Sequence, residues 1–193
     1  MITVFQQSFS LALPDKREIL RYAGVRRPSE EIERLLEECI NETLPLFSGK
    51  VCWCEIPINK AIDLQGIDKM LDSRALSSHI QDCRKIILFA ATVGIDIDRA
   101  IARYTALSPS KALLASAVGN ERIEALCDEF EKYIKNESKD ITSRFSPGYA
   151  DLSIDFQKDI FSILECHKRI GLTLNESLIM SPSKSVSAII GVK

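Results

Sequence analysis

The sequence predicts an α+β fold, with a mixed or antiparallel twisted sheet and flanking helices. Three observations lead there. Helical and strand-like segments alternate irregularly, without the even βα repeat of a parallel sheet. Lys85–Thr92 (KIILFAAT) is a short, nearly continuous apolar run, the pattern of a central strand buried on both faces. Apolar residues make up 46% of the 193 positions, enough for a sizeable core and too many for a globally disordered chain.

In chain order, residues 15–24 (DKREILRYAG) read as a short helix closed by Gly24. Pro28-Ser29-Glu30-Glu31 starts a second helix with acids in its first turn, and Ile32, Leu35, Leu36, Cys39 and Ile40 give it one apolar face. Gly49 precedes a strand at 50–58, where Cys52, Cys54, Ile56 and Ile58 alternate with the rest. A helix is expected over 73–81, then the strand Lys85–Thr92 closed by Gly94, then a helix over Asp96–Thr105. Ser108-Pro109 supplies a cap and a proline at the first helical position of the longest element, about 110–136. Its first half is Ala-rich and reads as buried; its second half carries Glu121, Glu124, Asp128, Glu129 and Glu131. Residues 137–152 have no period. Ser153 opens a helix with Phe156, Ile160, Phe161 and Leu164 inward, broken by Gly171, and 172–192 read as extended chain ending in VSAIIGV. Residues 1–84 are taken as the N-terminal helical and strand part of the same domain, and 85–193 as its core.

Composition narrows the function. The net charge is −2 with Lys and Arg scattered, so no basic stripe points to nucleic acid or an anionic membrane. No apolar run is long enough to span a bilayer, and the N-terminus (MITVFQQSFS) has no basic leader before an apolar block, so the cytoplasm is the expected compartment. The six cysteines form no CxxC pair and only two histidines are present, so no zinc spacing is visible. Cys52-Trp53-Cys54 reads as two small core residues on one strand face beside a tryptophan.

Two C-terminal segments are unusual: Arg144-Phe145-Ser146-Pro147-Gly148-Tyr149, and Gly171-Leu172-Thr173-Leu174-Asn175-Glu176-Ser177 followed by Met180-Ser181-Pro182-Ser183-Lys184-Ser185-Val186-Ser187. Together they resemble the activation domain of cobalamin-dependent methionine synthase. That family has an R-x-x-P-G-Y loop after a long helix, then a helix, an I-G-x-x-L-T-E-S stretch and an M-x-P-x-x-S-V-S-G strand. Asn175 stands for the usual Thr and Ala188 for the usual Gly. Phe89–Gly94 and Glu124-Ala125-Leu126 extend the resemblance upstream.

The resemblance implies that family's fold and a reactivation role: S-adenosylmethionine is offered to an oxidised corrinoid carried by a partner. It implies Arg144, Ser146, Gly148, Tyr149 and Glu124 as ligand contacts, with no catalytic residue and no metal site. The residue types suit that ligand. An arginine fork grips an α-carboxylate with two parallel hydrogen bonds. A Pro-Gly turn lets backbone approach closely, and a carboxylate accepts from an ammonium or a ribose. The implied partners are a cobalamin-dependent methionine synthase or a related corrinoid protein and a flavodoxin-like electron donor, with cobalamin held on the partner. The chain would be an accessory component that contributes proximity and orientation, the chemistry being the cofactor's. The family's aspartate near the domain start has no counterpart placed in residues 1–50, and its aromatic contact after the S-V-S strand lies beyond Lys193. Weak binding is therefore expected.

Read without the family, Arg144 is an ordinary ion-pair partner, Glu124 one acid among several on a solvated face, and Tyr149 a loop anchor. Glu131, two turns beyond Glu124, is expected to stand outside the site. Two other functions stay open: a non-catalytic docking module for a corrinoid protein, and a methyltransferase acting on another acceptor.

Overall fold

A computed structural model describes residues 2–58, 72–137 and 140–193. Its centre is a four-stranded sheet in the order β1-β2-β3-β6, antiparallel throughout, built from Val4–Ser8, Lys50–Pro57, Lys85–Thr92 and Ser185–Val192. A small second ladder pairs β4 (Thr173–Leu174) with β5 (Met180–Ser181). The α+β, antiparallel expectation therefore holds.

Two layers of helix cover the sheet. On one face, Cys52, Cys54, Ile56, Ile86, Leu88, Ala90 and Ile189 pack against α3 (Arg74–His79), α6 (Phe156–Leu164) and α7 (Cys166–Ile170). On the other, Val51, Trp53, Ile87, Phe89, Ala188 and Ile190 meet Ile123, Leu126, Cys127, Phe130 and Ile134 of α5 (Pro109–Glu137). Period-two alternation explains this division, since adjacent residues of a strand point to opposite faces. Each fully buried Leu, Ile or Phe here contributes about 1.5–3 kcal/mol. The N-terminal half of α5 forms a third cluster with α1 (Lys16–Tyr22), α2 (Glu30–Thr43) and α4 (Asp96–Leu107), in which Ile19, Leu36, Cys39, Ala115 and Val118 are buried.

Local signals account for the helix ends. Asp15 accepts from the Arg17 amide at 2.8 Å to cap α1, and the Ser29 hydroxyl accepts from Ile32 N to cap α2. Ser108 Oγ accepts from Lys111 N at the head of α5.

Three expectations need correction. The helix expected from Ser153 to Gly171 is two helices, because Glu165 takes a left-handed conformation (φ 48°) and breaks the chain between α6 and α7. Strand β1 was not foreseen: its residues Phe5 to Ser8 are exposed, so no alternation marks it, and pairing to β2 creates it. Finally, β2 is not one-sided. Val51 and Trp53 are as buried as Cys52 and Cys54, because α5 covers the second face. Trp53 stacks on Phe5 (5.5 Å) and lies 5.2 Å from Phe130, while Cys52 faces Cys166 with the sulfurs 3.9 Å apart.

Candidate functional site

Beyond β6, residues 141–145 run along the sheet edge. Phe145 exchanges backbone hydrogen bonds with Ile189, both at 2.9 Å, and Ile141 bridges to Val192. This pairing fixes which way neighbouring side chains go. Phe145 turns into the α6 side of the core, against His79 (5.4 Å) and Tyr149 (5.3 Å, edge-on). Arg144, one residue earlier, turns the other way, to α5.

There it meets three carboxylates. Its Nε lies 2.8 Å from Glu131, and its Nη2 lies 2.9 Å from Asp128 and 3.3 Å from Glu124. Glu124, Asp128 and Glu131 sit at i, i+4 and i+7, one face of a helix. The Arg144 and Glu131 side chains are only 23% and 17% exposed. Burial raises the carboxyl of Glu131 above the usual range, against the pull of Arg144. Burial also pushes the neighbouring Cys127 thiol up to about 12, keeping it protonated.

Past Phe145 the chain turns tightly. Ser146 O accepts from Tyr149 N (3.1 Å), Gly148 N donates to Leu152 O (2.9 Å), and Tyr149 O accepts from Leu152 N (3.1 Å). Gly148 has φ +86°, and a Cβ there would meet Ile154 Cδ1 at 3.0 Å, so the turn favours glycine. Tyr149 is 66% exposed.

Of the five sequence-derived site residues, Ser146, Gly148 and Tyr149 lie on one turn, Arg144 sits on the edge segment leading into it, and Glu124 contacts Arg144. Glu131, expected to stand outside the ligand site, makes the shortest contact to Arg144. Asp128 was also missed, although the 124/128/131 spacing would have placed it. With three acids around one guanidinium the cluster carries surplus negative charge, suited to a cationic group beside a carboxylate. A cleft of about 590 Å³ between α6, α7 and β4 is lined by none of these residues. Among the described residues no group of three or more His, Cys, Asp or Glu is arranged to hold a metal, and no helix is long and apolar enough to cross a membrane.

A family model described as vitamin B12 dependent methionine synthase, activation domain, matches residues 70–193. A crystal structure of the MetH reactivation domain bound to AdoHcy superposes with a TM-score of 0.72 at 14% identity, covering 99% of this chain and 78% of that one. No curated protein matches the chain.

Proposed function

Because the chain belongs to the activation-domain family of vitamin B12 dependent methionine synthase, we propose that it binds S-adenosylmethionine and presents the methyl group to a corrinoid held by a partner protein. The observation that carries this reading is the cluster of three carboxylates around the guanidinium of Arg144, on the segment leading into a Pro-Gly turn that bears an exposed tyrosine. S-adenosylmethionine carries an α-carboxylate, an α-ammonium and a sulfonium. The planar fork of Arg144 would take the carboxylate. Glu124 and Asp128, half-exposed and sharing one Arg144 nitrogen, would take the ammonium. Backbone at Ser146 and Gly148 would meet the rest of the ligand, and Tyr149 would cap the methyl.

Binding on this reading costs the existing pairs, since Arg144 must loosen from α5 to grip a new carboxylate. Weak affinity follows. The partner's cobalamin supplies the nucleophilic metal and a flavodoxin-like donor the electron; this chain's residues only bind, orient and shield. Cobalamin-dependent methionine synthase, or a related corrinoid protein, is the proposed partner.

Calorimetry with S-adenosylmethionine at millimolar concentration tests the proposal. Saturable heat is expected in the parent protein. Arg144→Lys, which keeps the charge but not the planar fork, should weaken it roughly tenfold to a hundredfold, the equivalent of about 1.5–3 kcal/mol. Glu124→Gln should weaken it too, and Glu129→Gln, whose partner is Lys132, should not. No heat and no thermal shift would sink direct binding. The docking-module reading, favoured by the full occupation of Nε and Nη2 by α5, would then replace it.

A further inference from the structure

At the sheet edge opposite the Arg144 cluster, β1 and the end of α7 enclose a corner of about 310 Å³ lined by Gln6, Gln7, Ser8, Lys50, Arg169 and Ile170. The register explains why polar groups gather there. Gln6 pairs with Cys52 and Ser8 with Lys50, so Gln6, Ser8 and Lys50 project to the face on which Cys52 meets Cys166. Arg169 follows Cys166 by three residues, one helical turn, and reaches the same corner. The side chains of Gln6, Gln7, Ser8 and Lys50 have no hydrogen-bond or ion-pair partner among the described residues.

Arg169 is the unusual member. Its Nε is shut off from solvent and has no hydrogen-bond acceptor among the described residues. Its Nη2 reaches Glu165 only at 3.5 Å, and that carboxylate is held more closely by Lys168 at 2.7 Å. A guanidinium N–H without solvent or acceptor is an unfavourable state that an arriving anion relieves. Two cations, an amide and a hydroxyl around a small concavity, with no acid lining it, form the donor set of an oxyanion.

We propose that this corner binds a phosphate monoester, or free phosphate of the same chemistry, with the oxyanion between Arg169 and Lys50, Gln6 and Ser8 donating, and a small organic body against Ile170. The corner is separate from the candidate methyl-donor site by at least the width of the sheet, three strand spacings or roughly 14 Å. It stands or falls independently of that reading.

The test is amide-resolved NMR titration of the full chain with inorganic phosphate and, separately, phenyl phosphate. Saturable shifts within the millimolar range are expected at Gln6–Ser8, Lys50 and Arg169–Ile170. Lys50→Gln and Arg169→Gln should each weaken the apparent affinity about tenfold, and Arg169→Lys should recover part of the loss. Lys158→Gln, on the neighbouring cleft, should change nothing. Tighter binding of phenyl phosphate identifies an organic phosphate as the ligand, and equal binding identifies the free anion. Linear, unsaturable shifts for both probes, or saturable shifts indifferent to Lys50→Gln and Arg169→Gln, would overturn the proposal.

Discussion

Replacing Arg144 with Gln should destabilise the fold, and the loss should depend on pH. The guanidinium touches three carboxylates, but these do not count equally. Glu124 and Asp128 are half-exposed and share one nitrogen, so together they contribute about 0–1 kcal/mol. Glu131 is mostly buried with its oxygen 2.8 Å from Nε, an ion pair screened less than a surface one and contributing about 1–2 kcal/mol. The expected loss at neutral pH is therefore about 2 kcal/mol. Its pH dependence follows from Glu131, whose carboxyl is raised in the folded state chiefly by burial and held back by Arg144. A raised carboxyl contributes stability below its unfolded pKa and loses that contribution as pH rises through the folded value. Without Arg144 the folded value moves higher still, so the variant's deficit widens from about pH 4 to pH 7. Urea denaturation of both proteins at the two pH values measures this, with the slope of the transition unchanged. Equal deficits at both pH values, or a deficit under about 0.5 kcal/mol at pH 7, would refute the clamp.

Two further outcomes are expected. Arg122 and Glu121 form a buried pair (2% and 8% side-chain exposure) that also binds Ala12 O and Asp15 N, so Glu121→Ala should cost about 3–5 kcal/mol by stranding the charge. The double variant Glu121→Gln/Arg122→Met should cost markedly less, as chemical denaturation would show. Native-state alkylation followed by mass spectrometry should label Cys83 first, whereas Cys54 and Cys127, whose thiols burial pushes up to about 12, should label only on unfolding; early labelling of Cys127 would contradict its placement beneath Arg144.

Much of the secondary structure, and the composition of the loop, was legible before any folding was known. KIILFAAT is buried strand because its six consecutive apolar residues, Ile86–Ala91, suit an element covered on both faces, and the run is short and closed by a glycine. Ser29 and Ser108-Pro109 set helix starts because capping is local chemistry. The Arg144–Tyr149 loop stood out because its motif resembles a known family's. Tertiary structure decided the rest. Strand β1 exists only through its partner β2, and nothing in VFQQS announces pairing. Glu165 breaks a helix that the apolar stripe alone would continue. The partners of Arg144 were also settled in three dimensions. Their spacing on α5 is readable, but which acid face meets the 141–145 segment depends on its docking along β6, which sends Phe145 inward and Arg144 across to α5. Long-range pairing of an irregular edge segment leaves no periodic trace in the sequence, because its register is fixed by hydrogen bonds to a strand more than forty residues away.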